Sequence, residues 1–297
     1  MDNSIAAVIV TFNRIELLIK CISAVKNQSH APNEIIVVNN GSTDETNSWL
    51  SQQTGITLIN QENSGGSGGQ FTGIKHAYIN GHDWVWCMDD DTLPSTDCLI
   101  NLVNSKYFGV ETTGFIASLV LWVDNSIHKM NIPYLKDPEY WVDKVMKNHC
   151  IAIKSCSFVS VLFSRRAIEK NGLPIKDFFI WYDDVEYTNR ISQEFNGYLS
   201  LDSIAYHLTH RNEGSFVDQK PKEKIPENLR NRYKYGIRNK VFFYKNNDLT
   251  IGQKILKLSY IIAQQVFWLL TGKISSSMLI SCFYGLFYKP DITKNIN

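Results

Sequence analysis

The chain has 297 residues, 44% hydrophobic and 20% charged, with a formal net charge of +1. That length buries a sizeable core in one large or two modest domains, and the balanced charge gives no electrostatic case for nucleic acid. Six scattered cysteines without a C-x-x-C pair argue against a disulfide framework and a cysteine zinc site, and for reduced, buried thiols.

The opening "MDNSIAAVIVTFNR" lacks the basic start of a signal peptide and reads as a first strand, "IAAVIVTF". "NRIELLIKCISAVKNQ" follows as a helix, with Ile15, Leu18, Ile22 and Val25 at helical spacing. "EIIVVNN" is a second strand, and "GSTDETNSWLSQQ" carries the capping signals of a second helix. "ITLINQ" is a third strand, a glycine-rich turn opens the helix "FTGIKHAYIN", and "DWVWCM" is a fourth strand. This alternation predicts an α/β sheet with ligands at the carboxyl ends of its strands. Thr11 to Asn13, Asn39 to Ser42 and Asp89 to Asp91 all fall at such ends.

Residues 110 to 210 read as mixed α+β. "GFIASLVLW" and "FVSVLF" are strands; "RRAIEKNG" and "EYTNRISQEFNG" are helices ending at Gly172 and Gly197. Residues 220 to 245 carry nine Lys/Arg against Glu223 and Glu227, and residues 251 to 288 are strongly apolar. The expected division is a globular α/β unit over 1–215, a basic connecting segment over 216–250 and an amphipathic helical tail over 251–297.

Four constellations carry chemistry. In "WVWCMDDDTLP", three adjacent carboxylates repel one another unless a cation sits among them. On an extended segment Asp89 and Asp91 project to one side, a hard-oxygen pair suited to Mg²⁺ or Mn²⁺; the plainer reading is a turn before the helix "STDCLINLVN". "NSGGSGGQFTG" leaves backbone N–H groups free for an anion, or is a flexible surface loop. It fails as a dinucleotide fingerprint on spacing and as a Walker A loop for want of GK[ST]. "FFIWYDDVEYTNR" crowds Asp183, Asp184 and Glu186 among aromatics, which raises a carboxylate's pKa and makes it a better base; a helix N-terminus favours the same acids. "YHLTHRNEG" adds His207 and His210, either of which alone is an ordinary satisfied histidine.

The order "VIVTFNR", "IIVVNNGSTDET", glycine loop, "WVWCMDDDTLP", "WYDDVEY" and "YH" resembles the family 2 inverting glycosyltransferases of the GT-A fold, over roughly residues 4 to 210. The glycine loop with the acidic triplet looks most like the galactofuranosyltransferase branch. The resemblance implies a Rossmann-like nucleotide-binding half fused to an acceptor half, and a UDP-galactofuranose donor. It implies Asp89, Asp91 and His207 as ligands of Mn²⁺ or Mg²⁺ and Asp184 as the catalytic base. Donor contacts would come from Thr11, Phe12, Asn13, Arg14, Asn39, Asn40, Asn63, Gly65, Gly66, Gly68, Gly69 and Asp90. Asn39 and Asn40 stand where the family usually has an aspartate that receives the uracil. Rhamnosyl transfer from dTDP-rhamnose and sugar nucleotidyl transfer are the rival activities; the second would show G-x-G-x-R near the N-terminus.

Candidate acceptor contacts are Trp181, Tyr182, Asp183, Glu186, Tyr235, Arg238 and Asn239, for a polyprenyl-diphosphate-linked glycan in capsule or O-antigen synthesis. Gln264, Gln265 and Lys273 interrupt the apolar tail, so it lacks the ~20 uninterrupted residues of a spanning helix. A pair of amphipathic helices on the cytoplasmic face of a bacterial inner membrane fits, as does a cytoplasmic protein whose tail is a helical cap or homo-oligomer interface.

Overall fold

The run "IAAVIVT" forms strand β1 (Ile5–Thr11), buried along its whole length, in a computed structural model that describes residues 3–136, 148–215, 217–221 and 223–296. A strand apolar at every position is covered on both faces. Ala6, Val8 and Val10 share a core cluster with Ile74 and Ala77 of helix α3 (Gly65–Ile79). Ile5, Ala7 and Ile9 share another with Leu18, Cys21, Ile22 and Val25 of helix α1 (Ile15–Lys26).

The remaining strands are β2 (Glu34–Asn39), β3 (Thr57–Asn60), β4 (Trp84–Asp89), β5 (Thr92–Pro94), β6 (Thr113–Leu121), β7 (Tyr134–Leu135), β8 (Cys150–Ser155), β9 (Val161–Ser164) and β10 (Asn196–His207). They form one mixed sheet in the order β3-β2-β1-β4-β9-β6-β10-β8-β7, with β5 against β10. β1 pairs in parallel with both β2 and β4. The chain runs outward from β1 through β3 and then returns to β1's other side as β4. That reversal opens a crevice at the strands' carboxyl ends, where α/β sheets bind ligands. Val10 pairs with Asp89, so Thr11 and the acidic triplet meet there.

Helix α2 (Thr46–Leu50) and helix α4 (Cys98–Val103) are short; helix α5 (Arg165–Asn171) ends at Gly172, as expected. Two expectations need correction. Helix α3 begins at Gly65, not near Phe71, so the glycines lie inside it. A helical glycine costs about 1 kcal/mol relative to alanine, and here its lack of a side chain is what packing requires. A Cβ on Gly69 would run into Val10 and one on Gly73 into Val8. Gly69→Ala should lower unfolding free energy by about 1–3 kcal/mol through overpacking. Urea titration checks this, and an unchanged midpoint would contradict it. The second correction concerns helix α6 (Asp183–Ile191), which stops short of Gly197. Gly197 lies on β10 instead, where the ring of Phe115 occupies the space of a side chain.

Past β10 the chain turns helical. The stretch expected as a connecting segment contains helix α7 (Glu227–Asn246), followed by helix α8 (Ile251–Leu270) and helix α9 (Ser276–Phe287). The expected boundary at 215/216 falls against residue 216, outside the described residues. A Thr250–Gln253 capping box starts α8. Tyr233, Ile237 and Val241 share a cluster with Ile261, Trp268, Met278 and Cys282, so these helices pack as a unit with its own core. Among the described residues, no helix is long and apolar enough to cross a membrane. All six cysteines are free and buried.

Candidate active site

β4 ends at Asp89, and Asp90 and Asp91 turn the chain into β5. The alternation of a strand therefore stops before Asp91, although Asp91 remains the strongest charged neighbour of Asp89. Asp90 and Asp91 converge instead on Arg14, whose Nη1 lies 3.4 Å from Asp90 Oδ1 and 2.6 Å from Asp91 Oδ2. The cation that three crowded carboxylates demand is thus supplied partly by the chain itself. Thr11 Oγ1 donates to Asp90 Oδ2 at 2.8 Å, and Gln70 Nε2 donates to Asp89 at 3.2 Å. Burial and then Asp91 push Asp89 up to about 8 and Asp90 up to about 6. Burial works the same way on Asp91, but His207 and Arg14 overcome it and hold that carboxyl at about 2.

His207 reaches the triplet because it closes β10 opposite Thr92 of β5. Its Nδ1 lies 2.8 Å from Asn131 Oδ1, and the amide of Asn131 donates to Ser157 Oγ at 2.7 Å. The His207 Nε2 faces Asp91 Oδ1, 3.3 Å away, and the contact is favourable when that nitrogen carries a proton. That oxygen is buried and has no hydrogen-bond partner. Two acceptors facing one another are stabilised only by a proton or a metal cation between them. In donor chemistry these groups fit a divalent ion. Yet among the described residues no three carboxylate, imidazole or thiol groups are assembled as a finished metal site. Asp91 and His207 are together, whereas Asp89 is turned to Gln70.

His128 walls this corner, its ring centroid 4.5 Å from that of His207. Its Nδ1 accepts from the Met130 N–H and its Nε2 lies 2.8 Å from Thr209 Oγ1. Burial, then His207, lower His128 to about 4, so it stays neutral. Sequence reasoning missed Asn131, His128 and Gln70. It also missed Arg232 on α7, which burial and the nearby charge of Arg14 destabilise as a cation. Gln70 lay inside the glycine-rich stretch and Arg232 inside the basic stretch already singled out, whereas Asn131 and His128 lay in neither.

The second acidic cluster opens α6. Burial, then Asp183, and further on Asp89, push the Asp184 carboxyl well above the usual range. The influence of Asp89 brings the two clusters into one field. Asp183 is also raised by burial, opposed by the Ser67 hydroxyl and backbone N–H groups. Other expected acceptor contacts are engaged within the protein. Glu186 pairs with Arg190 at 2.8 Å, Tyr182 donates to Asp218 at 2.7 Å, and Asn239 is fully buried against backbone carbonyls. Tyr235 and Arg238 do line a cleft, of about 660 Å³, with Phe71, Lys176, Phe179 and Tyr288. Tyr235 stacks on Phe179 at 4.8 Å, whereas the Trp181 ring lies against Gly236 and does not line this cleft.

The nucleotide end is more tightly self-bonded than expected. Asn39 Nδ2 donates to Asn60 at 2.8 Å, and Asn40 Nδ2 donates to the Gly65 carbonyl at 2.8 Å while its Oδ1 accepts from Gln61 and Ser64. Both side chains are buried, so neither amide is open to receive a uracil. Asn13, in the left-handed region at φ 53°, accepts the Thr43 N–H at 2.7 Å, and Phe12 is exposed at the tip of β1. Asn63 caps the Gly65 N–H at 2.9 Å. Gly65 itself (φ 76°) lies where a side chain would run into the Phe179 carbonyl, and Gly68 closes on Ser64. Gly66 alone of these has open space beside it. The glycine stretch is thus chiefly a packing device.

A family model for glycosyl transferase family 2 matches residues 6–171. The chain is 34% identical over 103 residues to galactofuranosyltransferase GlfT1 of Mycolicibacterium smegmatis, covering 34% of each protein. It is 36% identical over 95 residues to GlfT1 of Mycobacterium tuberculosis, covering 31% of each. The match thus spans about a third of these relatives' length. Among solved structures, GalNAc-T7 with UDP, GalNAc and Mn²⁺ superposes with a TM-score of 0.58 at 13% identity, over 82% of this chain and 48% of that one. S. aureus TarS 1-349 in complex with UDP gives 0.55 at 12% identity, over 84% and 68%. At such identities the likeness is one of fold, the mixed α/β GT-A-like architecture. With more than half of its residues inside the matched region, the chain belongs to glycosyl transferase family 2.

Proposed function

We propose that the chain is an inverting transferase that moves a galactofuranosyl unit from UDP-galactofuranose to a hydroxyl of a polyprenyl-diphosphate-linked glycan. The observation that carries this reading is Asp184, a half-buried carboxyl at the start of α6 that desolvation and neighbouring acids push well above its usual range, within the field of the triplet. Such a carboxylate takes up a proton more readily than an ordinary one, as a general base must. Asp184 accepts the acceptor's hydroxyl proton, and the freed oxygen attacks the anomeric carbon. The carbon–oxygen bond to the diphosphate breaks, its electron pair leaves with UDP, and the centre inverts. A divalent cation on Asp91 and His207, with Asp89 as the further candidate ligand, would neutralise the charge that develops on the departing diphosphate. Arg14 and Arg232 add positive charge on the same side. The cleft of Tyr235, Arg238 and Phe179 offers aromatic faces and a cation for the acceptor. A donor screen with Mn²⁺ tests the assignment. UDP release should be fastest from UDP-galactofuranose; faster turnover of dTDP-rhamnose, UDP-galactose or UDP-glucose would replace it.

The acceptor's lipid places the enzyme at the cytoplasmic face of the inner membrane. Ile255, Leu256, Tyr260, Leu270, Phe283 and Phe287 are exposed on α8 and α9, next to the basic residues of α7. Apolar side chains beside a basic segment suit an anionic leaflet. The full chain should float with anionic vesicles. A Leu256→Glu, Phe287→Glu double variant should stay in the soluble fraction, both positions being more than 70% exposed and so safe for the fold. Failure of the full chain to float would remove the membrane from the proposal, and equal flotation of both would remove these two side chains from the contact.

A further inference from the structure

Three of the four residues that lead into α6 hold an unusual backbone. Phe179, Trp181 and Tyr182 have φ of 66°, 63° and 67°, in the left-handed region that bulky side chains avoid. Such a segment keeps its shape only where its surroundings over-determine it. The next two residues are Asp183 and Asp184, so this turn decides where the proposed base stands.

The surroundings come from two helices. On one side Gly65 of α3 lets the Phe179 carbonyl approach, and the Ser67 N–H donates to that carbonyl at 3.2 Å. On the other side is Asn239 of α7. Its Nδ2 lies 2.9 Å from the carbonyl oxygen of Phe178, 3.1 Å from that of Ile180 and 2.9 Å from that of Trp181. An amide nitrogen has two protons, so three carbonyls share them. Arg238 fixes which way the amide faces, its Nε and Nη2 donating to Asn239 Oδ1 at 3.0 and 2.8 Å. Arg238 Nη2 also donates to the Asp177 carbonyl at 2.7 Å, extending the hold by one residue. One turn earlier, the bare Cα of Gly236 makes room for the Trp181 ring.

We propose that Asn239 is a positioning residue that clamps the 178–182 turn and thereby sets the Asp184 carboxylate toward the acceptor. The C-terminal helices then complete the site in addition to any role they have at a membrane. This inference rests on the reading of Asp184 as the base, and it predicts a loss in the chemical step without a loss in donor binding. Asn239 is fully buried and bonds to the turn's backbone and to Arg238.

The test uses the full-length chain. Asn239→Ala should lower kcat at least tenfold while UDP affinity by calorimetry and the donor KM stay within twofold. Asn239→Gln, which keeps the amide but puts it one methylene out of register, should lower kcat with the same split. Tyr233→Phe is the stability control: it removes a 3.0 Å hydrogen bond to Gln265 within the same helical unit and should leave kcat unchanged. Added to Asp184→Asn, Asn239→Ala should slow turnover no further, because both act through one group. Full kcat in Asn239→Ala and Asn239→Gln, or an equal kcat loss in Tyr233→Phe, would overturn the inference. Full turnover in Asp184→Asn alone would instead overturn the base assignment.

Discussion

Asp184→Asn should cut turnover by roughly 10²–10⁴-fold, the range expected for losing a general base, and leave UDP binding intact. The amide keeps the size of the carboxyl and can still accept the Val185 N–H at its Oδ1. What it cannot do is take a proton from a hydroxyl. The same group links function to stability. Burial and the neighbouring acids raise the folded carboxyl above the value of about 3.9 that it has when unfolded. The folded state therefore binds the proton more tightly. Its contribution is fully present below the unfolded value and is lost as pH rises through the raised folded one. Melting temperature of the metal-free protein should accordingly fall as pH rises from the unfolded value of about 3.9 through the raised folded one, and Asp184→Asn should flatten that fall. Calorimetric scans at several pH values check both; an equally steep fall in the variant would show that Asp184 does not carry it.

The second large effect concerns Asp91. Asp91→Ala should abolish the tightening of UDP binding by Mn²⁺, leaving the affinity of the metal-free protein unchanged or slightly altered. The variant removes the buried Oδ1 that faces His207 and half of Arg14's carboxylate contact. Asn131→Ala should give a graded version, weakening metal affinity by about 10–100-fold, as removal of a group that orients a ligand typically does. Isothermal titration with and without Mn²⁺ separates the two. Undiminished Mn²⁺ dependence in Asp91→Ala would take Asp91 out of the site.

The first four strands and the position of the acidic triplet were legible because a buried parallel strand writes a continuous apolar run that ends abruptly at its functional tip. The raised carboxyls of Asp183 and Asp184 agree with what acids crowded among aromatics at the start of a helix lead one to expect. Other features were hidden by the nature of the signal. Which cation reaches Asp90 and Asp91 is a tertiary question, and Arg14 looked like one more pocket residue. Asn131 and His128 sit in an irregular stretch between β6 and β7 with no periodicity to mark them. Glycines that thin a helix for close packing are written like glycines that bend a loop. Asn39, Asn40 and Asn239 looked like ligand-facing amides, but each is buried and bonded inside the protein. A sequence does not say which way an amide points.

The claim beneath all of this is that the tip of β4 gathers carboxylates and an imidazole around an ion carrying a donor's phosphates. Anomalous diffraction from crystals soaked with Mn²⁺ and UDP addresses it directly. The predicted result is one manganese peak within direct coordination distance of Asp91 and of His207 Nε2, beside the diphosphate. UDP seated in the crevice beside β1 and β4 with no manganese at those side chains would contradict it.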